Sequence, residues 1–267
     1  MTQCAMASAP TVILDRRGPV AWLTLDRPKR HNAFDDEMIA ALTGALAGLA
    51  ADPLAHIVVL AGNGPSFSAG ADLEWMKRAA LHSREENRRD ALALAQMMRS
   101  LAELPKPTVA RVHGAAIGGG FGLACCCDIV VASTEAAFAL TEVRLGLVPA
   151  AIAPYVVAAL GPQLARRLML TGERIDASEA HRIGLVHEVA APDVLDAVLD
   201  CVVTELVKGG PEAHAEVKRL VRAVQGRAVD NDLIALTATS IAEARSSAEG
   251  REGIAAFLEK RSPKWRP

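Results

Sequence analysis

Gly62-Asn63-Gly64-Pro65-Ser66-Phe67-Ser68-Ala69-Gly70-Ala71-Asp72 follows the apolar run His56-Ile57-Val58-Val59-Leu60-Ala61. The run reads as a buried strand, and the glycines mark the place where the chain turns. The construction returns further along. Thr108-Val109-Ala110-Arg111-Val112-His113 is again strand-like, Gly114 to Gly122 contains five glycines, and Leu123 to Cys127 reads as the helix that follows. Where such a loop opens a helix, the first N–H groups have no intrahelical acceptor and point at whatever anion is near. One loop of this kind is weak evidence. Two can each set one N–H on a single oxygen, which is the construction of an oxyanion hole.

Other readings of these glycines fail. No G-x-x-x-x-G-K-[ST] is present, so there is no P-loop, and no strict G-x-G-x-x-G supports a dinucleotide site. Gly64-Pro65-Ser66-Phe67-Ser68 misses the nucleophile elbow at its last position, which argues against a serine hydrolase.

Outward from the loops, strands alternate with helices. Val12-Ile13-Leu14 and Val20 to Leu25 flank the turn signal Arg17-Gly18-Pro19. A helix is expected from about Asp35 to Ala51, with acids in its first turn, and another from about Glu85 to Leu104 with Leu94, Met97, Met98 and Leu101 at helical spacing. These methionines read as core. Asp128 to Ala132 and Ala137 to Leu140 look like further strands. After Pro192 the character changes to helices over roughly 194–208, 212–224, 230–245 and 251–260. The division expected is a core over residues 1–194 and a helical region over 195–267, too small for a convincing core of its own, that packs on the body or on a neighbouring subunit.

Composition narrows the partners. Half of the 267 residues are hydrophobic and aromatics are only 3%, so Ala, Leu and Val do most of the packing. A net charge of -2 gives no general reason to expect binding to nucleic acid or an anionic membrane. The basic clusters at Arg88-Arg89 and at Lys218, Arg219 and Arg222 are interleaved with acids and read as solvated helix faces. The five cysteines lack disulfide spacing or a C-x-x-C pair, which suits a reducing, cytoplasmic compartment. Met1 to Pro10 lack a signal-peptide pattern, and no apolar run is long enough to cross a membrane as a helix.

Phe67-Ser68-Ala69-Gly70-Ala71-Asp72-Leu73 resembles the F-x-A-G-A-D-[LI] loop of the crotonase (enoyl-CoA hydratase/isomerase) superfamily. Val112 to Gly120 resembles its second oxyanion segment, and Asp26-Arg27-Pro28-Lys29-Arg30-His31-Asn32-Ala33 its N-terminal CoA-contacting loop. Phe138 to Pro149 and Phe257-Leu258-Glu259-Lys260-Arg261 fit as well, so the resemblance spans nearly the whole chain in order. It implies an α/β fold, the crotonase-type ββα superhelix with a helical C-terminal trimerisation region. It also implies a homo-oligomer, trimer or dimer of trimers, an acyl-CoA thioester as substrate, and no metal or redox cofactor, coenzyme A being the substrate's carrier.

The resemblance further implies that the N–H groups of Ala71 and Gly119 bind the thioester oxygen. Ala69, Gly70, Asp72 and Leu73 would belong to the loop against the CoA adenine. Lys29, Arg30 and His31 would line the nucleotide end. Phe257 and Lys260 would contact CoA or the acyl tail, from the same or another subunit. Glu142 matches one of the two glutamates that hydratases of the family use. The other falls at Gly122, which has no side chain. A structural alternative for Glu142 is an ion pair with Arg144. Leu147 to Val157 replaces the usual glycine-rich segment and is similar to a subgroup described as methylglutaconyl-CoA or carboxygeranoyl-CoA hydratases. The expectation is therefore an enoyl-CoA hydratase. A Δ3,Δ2-enoyl-CoA isomerase using Glu142 alone is the alternative, and a weakly catalytic RNA-binding relative is the reading from another class.

Overall fold

The computed structural model describes residues 10–266. Cys4 and most of the stretch examined for a signal peptide lie outside them.

The first strands, β1 (Val12–Arg17) and β2 (Val20–Leu25), pair antiparallel across Gly18. From β2 onward the sheet is parallel: β3 (Ile57–Gly62), β4 (Thr108–Val112), β6 (Ile129–Ser133) and β9 (Glu188–Ala190) follow in the order β1-β2-β3-β4-β6-β9. A small second sheet holds β5 (Ala115–Ile117), β7 (Ala137–Ala139) and β8 (Arg174–Asp176). Parallel neighbours require crossovers; the helices that supply them lie on one face of the large sheet, and a helix after the last strand covers the other.

This is why β3 carries apolar residues without alternation. Val58 and Leu60 join the larger core beneath α1 (Asp36–Ala51) and α3 (Arg84–Ala102). Ile57 and Val59 face the other way, into a smaller core with Leu195 and Leu199 of α7 (Leu195–Val207). The first helix of the C-terminal region thus closes one face of the sheet. α8 (Pro211–Val224), α9 (Asn231–Ser246) and α10 (Ala248–Leu258) pack chiefly on one another.

Helix starts follow capping chemistry. Asp35 caps α1 by accepting from Met38 N, and Ser83 with Glu86 forms a capping box at α3. Two short elements differ from the sequence reading. α2 (Leu73–Ala79) was not expected because its few residues show no apolar stripe; the Asp72 carboxylate caps it, accepting from Glu74 N and Trp75 N. β5 lies inside the second glycine-rich stretch and owes its conformation to its partner β7. The helix after the glycines, α4 (Gly119–Cys126), starts earlier than Leu123.

One basic cluster also differs. Lys218 is not solvated: its side chain is 9% exposed, its Nζ stands 2.6 Å from the Asp128 carboxylate, and it donates to Lys106 O at 2.9 Å. It ties α8 to the end of the sheet. Arg88 and Arg219 do lie exposed beside Glu85 and Glu216.

Candidate active site

Three segments of the chain run side by side at the end of the sheet. Phe67 N donates to His113 O at 2.9 Å, Ser68 N to Ala115 O at 3.0 Å, and Ile117 N to Ser68 O at 2.9 Å. On the other side, Ala69 N donates to His31 O at 2.9 Å, Phe34 N to Gly70 O at 2.6 Å, and Asp72 N to Phe34 O at 2.8 Å. The first glycine-rich loop is therefore held between the N-terminal loop and the second one.

This register leaves two N–H groups over. Phe34 bridges Ala71 in the parallel sense, using the carbonyl of Gly70 and the N–H of Asp72. In that pattern the bridged residue's own N–H points the opposite way. Gly119 is the first residue of α4, whose leading N–H groups lack intrahelical acceptors and carry the positive end of the helix dipole. The preceding N–H, of Gly118, donates to Ala139 O at 2.8 Å and fixes the loop on β7. The two loops approach closely at Gly70, where φ is +86°. A Cβ there would stand 2.8 Å from Ile117 O and 3.4 Å from Gly119 N. Ala71 and Gly119 are thus carried on touching loops, as a shared oxyanion hole requires.

Glu142 reaches the same place through the small sheet. β5 pairs with β7, and the 3-10 helix Glu142–Leu145 follows β7 almost at once. Gly118 has φ +52° and ψ -115°, a backbone suited to glycine, and a Cβ on it would lie 2.9 Å from Glu142 Oε1. The carboxylate therefore rests against the residue that precedes Gly119. Its Oε2 is buried and has no hydrogen-bond partner. Burial holds the pKa of Glu142 above the ordinary glutamate range. The ion pair with Arg144 does not form: the Arg144 guanidinium lies over Gly172, and Glu142 has no ion pair among the described residues.

The position of the second glutamate is filled from elsewhere. A Cβ on Gly122 would stand 2.8 Å from Ile152 Cβ, and closer still to its Cγ2. Ile152 is buried and immediately precedes α5 (Ala153–Thr171).

The residues expected near the nucleotide are only partly together. Lys29 and Arg30 lie on the exposed 3-10 turn Pro28–Arg30. His31 follows in the left-handed region, its Nδ1 3.0 Å from Ser66 Oγ. Ala69, Gly70 and Leu73 lie along the adjacent loop, and Leu73 is 70% exposed. Asp72 differs from its neighbours. Its side chain is buried, caps α2 and stands 3.4 Å from Arg27 Nη2, so its work is to hold the loop. Phe257 and Lys260 are exposed at the end of α10, which packs on α8 and α9. They stand with the tail helices.

Asn32 was quoted in the sequence without a role. It is fully buried with φ +53°. Its Oδ1 accepts from Arg27 N at 2.8 Å, and its Nδ2 donates to Asn63 O at 2.9 Å and Ser66 O at 2.8 Å. It pins the N-terminal loop to the first oxyanion loop. Asn32→Ala is expected to cost about 2–4 kcal/mol, because buried partners lose their bonds and alanine resists positive φ. Urea unfolding measures this; a loss under about 1 kcal/mol would mean that the loops are aligned by other contacts.

Comparison with known proteins shows the family. The family described as Enoyl-CoA hydratase/isomerase matches residues 15–267. The crystal structure of an enoyl-CoA hydratase from Shewanella pealeana superposes with a TM-score of 0.93 at 43% identity, covering 96% of each chain. The crotonyl-CoA hydratase of Syntrophomonas wolfei is 33% identical over 257 residues, 94% of this chain and 95% of its own. The 2,3-dehydroadipyl-CoA hydratase of Escherichia coli is 32% identical over 262 residues, 96% of this chain and 98% of its own. The touching glycine loops and the half-buried glutamate beside them therefore sit in a chain that belongs to the enoyl-CoA hydratase/isomerase family, within the crotonase superfamily.

Proposed function

We propose that the protein is an enoyl-CoA hydratase that works through a thioester enolate, with Glu142 as its proton-transferring group. The observation that carries this reading is the half-buried Glu142 side chain, whose Oε2 is buried without a partner and whose Oε1 is set against Gly118, one residue from the Gly119 N–H. The N–H groups of Ala71 and Gly119 hold the thioester oxygen and stabilise it more as charge develops there. Water adds to the β-carbon, the π electrons move to the thioester oxygen, and Glu142 delivers a proton to the α-carbon as the enolate collapses. The proton lost by the added water returns to Glu142, so the carboxyl group ends as it began. Burial raises the pKa of Glu142, which makes its protonated form more available than that of an ordinary glutamate.

For the substrate we propose a branched or carboxylated enoyl-CoA, such as 3-methylglutaconyl-CoA. Support comes from the resemblance of residues 147–157 to that subgroup. Lys29, Arg30 and His31 would meet the nucleotide end of CoA, and the exposed apolar residues of the tail, Val217, Ile234, Ile241 and Phe257 among them, support a homo-oligomer. One observation favours the isomerase as a second reading. Ile152 occupies the place of a second carboxylate, and a lone Glu142 can take a proton from C2 and return it at C4.

Activity over a panel of crotonyl-CoA, a 3-enoyl-CoA and 3-methylglutaconyl-CoA separates these readings. Hydration of the carboxylated thioester should exceed that of crotonyl-CoA by at least about tenfold, a difference of 1.4 kcal/mol in transition-state binding. Conversion of the 3-enoyl-CoA to its conjugated isomer without hydration of any member would replace the hydratase by the isomerase.

A further inference from the structure

Gly118 is the N-cap of α4, and Gly122 lies one turn on, its N–H donating to Gly118 O at 3.0 Å. The Glu142 carboxylate covers the first and Ile152 covers the second. A side chain at 122 would therefore emerge one turn from the glycine that Glu142 covers. That volume is instead supplied from the opposite backbone. Ile152 is 3% exposed, its N–H donates to Pro149 O, and its carbonyl accepts from Val156 N at 3.1 Å in the first turn of α5. Three of its carbons lie within 3.4 Å of where a Cβ on Gly122 would be. Methyl and methylene groups offer van der Waals contact but no hydrogen bond to a water molecule. One turn along from the glycine that Glu142 covers, the wall is therefore hydrocarbon.

We propose that Ile152 is a specificity-determining residue. By filling the space above Gly122 it limits the site to one protein carboxylate, and so selects against hydration of short, unbranched enoyl-CoA thioesters. The proposal rests on the reading of Glu142 as the proton-transferring group. Ile152 and residue 122 form an exchangeable pair: one volume, two backbones, and room for one side chain. Gly122→Glu alone overfills it, because the added Cβ already meets Ile152. Ile152→Gly alone empties it without adding a polar group. Only the two together place a second carboxylate next to Glu142 with its space cleared.

The test compares the wild type, both single variants and Gly122→Glu/Ile152→Gly. Hydration of crotonyl-CoA is measured beside deuterium exchange at the α-carbon of butyryl-CoA, which needs Glu142 and the oxyanion hole but no added water. The double variant should gain at least about tenfold in crotonyl-CoA kcat/KM over the wild type, a modest part of the roughly 10²–10⁴ that a positioned acid–base group supplies. Neither single variant should gain. A folded double variant with exchange intact and hydration no faster than wild type overturns the proposal. So does an equal gain in Ile152→Gly alone, which would assign the effect to space. If the double variant does not fold, Ile152→Asp adds no atom to α4 and carries the same expectation, and a flat result there also overturns it. Absence of exchange in the wild type is a different failure: it removes Glu142 as the proton carrier, and this proposal with it.

Discussion

Glu142→Gln is expected to lower turnover on the best enoyl-CoA substrate by at least about 10²-fold while CoA affinity stays near wild type. Glutamine keeps the shape of the side chain and its contact with Gly118, and it cannot accept and return a proton. The loops proposed to meet CoA make no hydrogen bond to the Glu142 side chain, so binding has no reason to fall with turnover. The same substitution should alter stability in a pH-dependent way. Burial raises the pKa of Glu142 in the folded state, so the fold binds this proton more tightly than the unfolded chain does. That stabilisation is present at low pH and is lost as pH rises through the ordinary glutamate range to the raised folded value. Above it the wild type carries a buried charge without a partner. Glu142→Gln should therefore raise Tm at pH 7 and give little gain below pH ~4, the unfolded range. Thermal melts at both pH values check this. Unchanged turnover in a folded variant would remove Glu142 from the chemistry.

The second large effect is expected at Ala71. Its side chain contributes only a methyl group, and its importance lies in a backbone N–H that side-chain deletion leaves in place. Ala71→Pro deletes that donor. The bonds that align the loop run through Gly70 O and Asp72 N, so the substitution removes none of them. Loss of one oxyanion donor typically costs about 10² to 10³ in rate, and that loss is expected here. Proline also restricts the residue before it, and Gly70 sits at φ +86° against the second loop. CoA affinity must therefore be measured in parallel. Lost turnover with retained affinity assigns the N–H to the transition state. A folded variant with normal affinity and full turnover would show that Ala71 donates nothing there.

The parts of the site that were legible in the sequence are those with a local signal. The two glycine-rich loops follow apolar runs that became β3 and β4, and strand composition together with glycine placement locates them. The tail helices were legible from their 3.6-residue period to within a few residues. What the sequence did not show depends on contacts between distant segments. α2 is only a turn or two long and exists because Asp72 caps it. β5 is three residues long and exists because β7 pairs with it. Asn32 could be quoted but not interpreted, since its three partners are spread over residues 27, 63 and 66. The missing glutamate at Gly122 was visible, yet nothing in the sequence places Ile152 above it. That contact is made across the chain turn between the small sheet and α5, and only the fold reveals it.

In the proposed mechanism one carboxylate moves the α-proton of a thioester whose oxygen is held by the Ala71 and Gly119 N–H groups. Deuterium exchange at the α-carbon of butyryl-CoA tests it most directly, because no water need add and no product need form. A single carboxylate reaches the α-carbon from one side, so the wild type should incorporate one deuterium stereospecifically. Glu142→Gln should slow that incorporation by at least about 10²-fold. Exchange in Glu142→Gln at the wild-type rate, or wild-type exchange of both α-hydrogens at equal rates, would contradict the account.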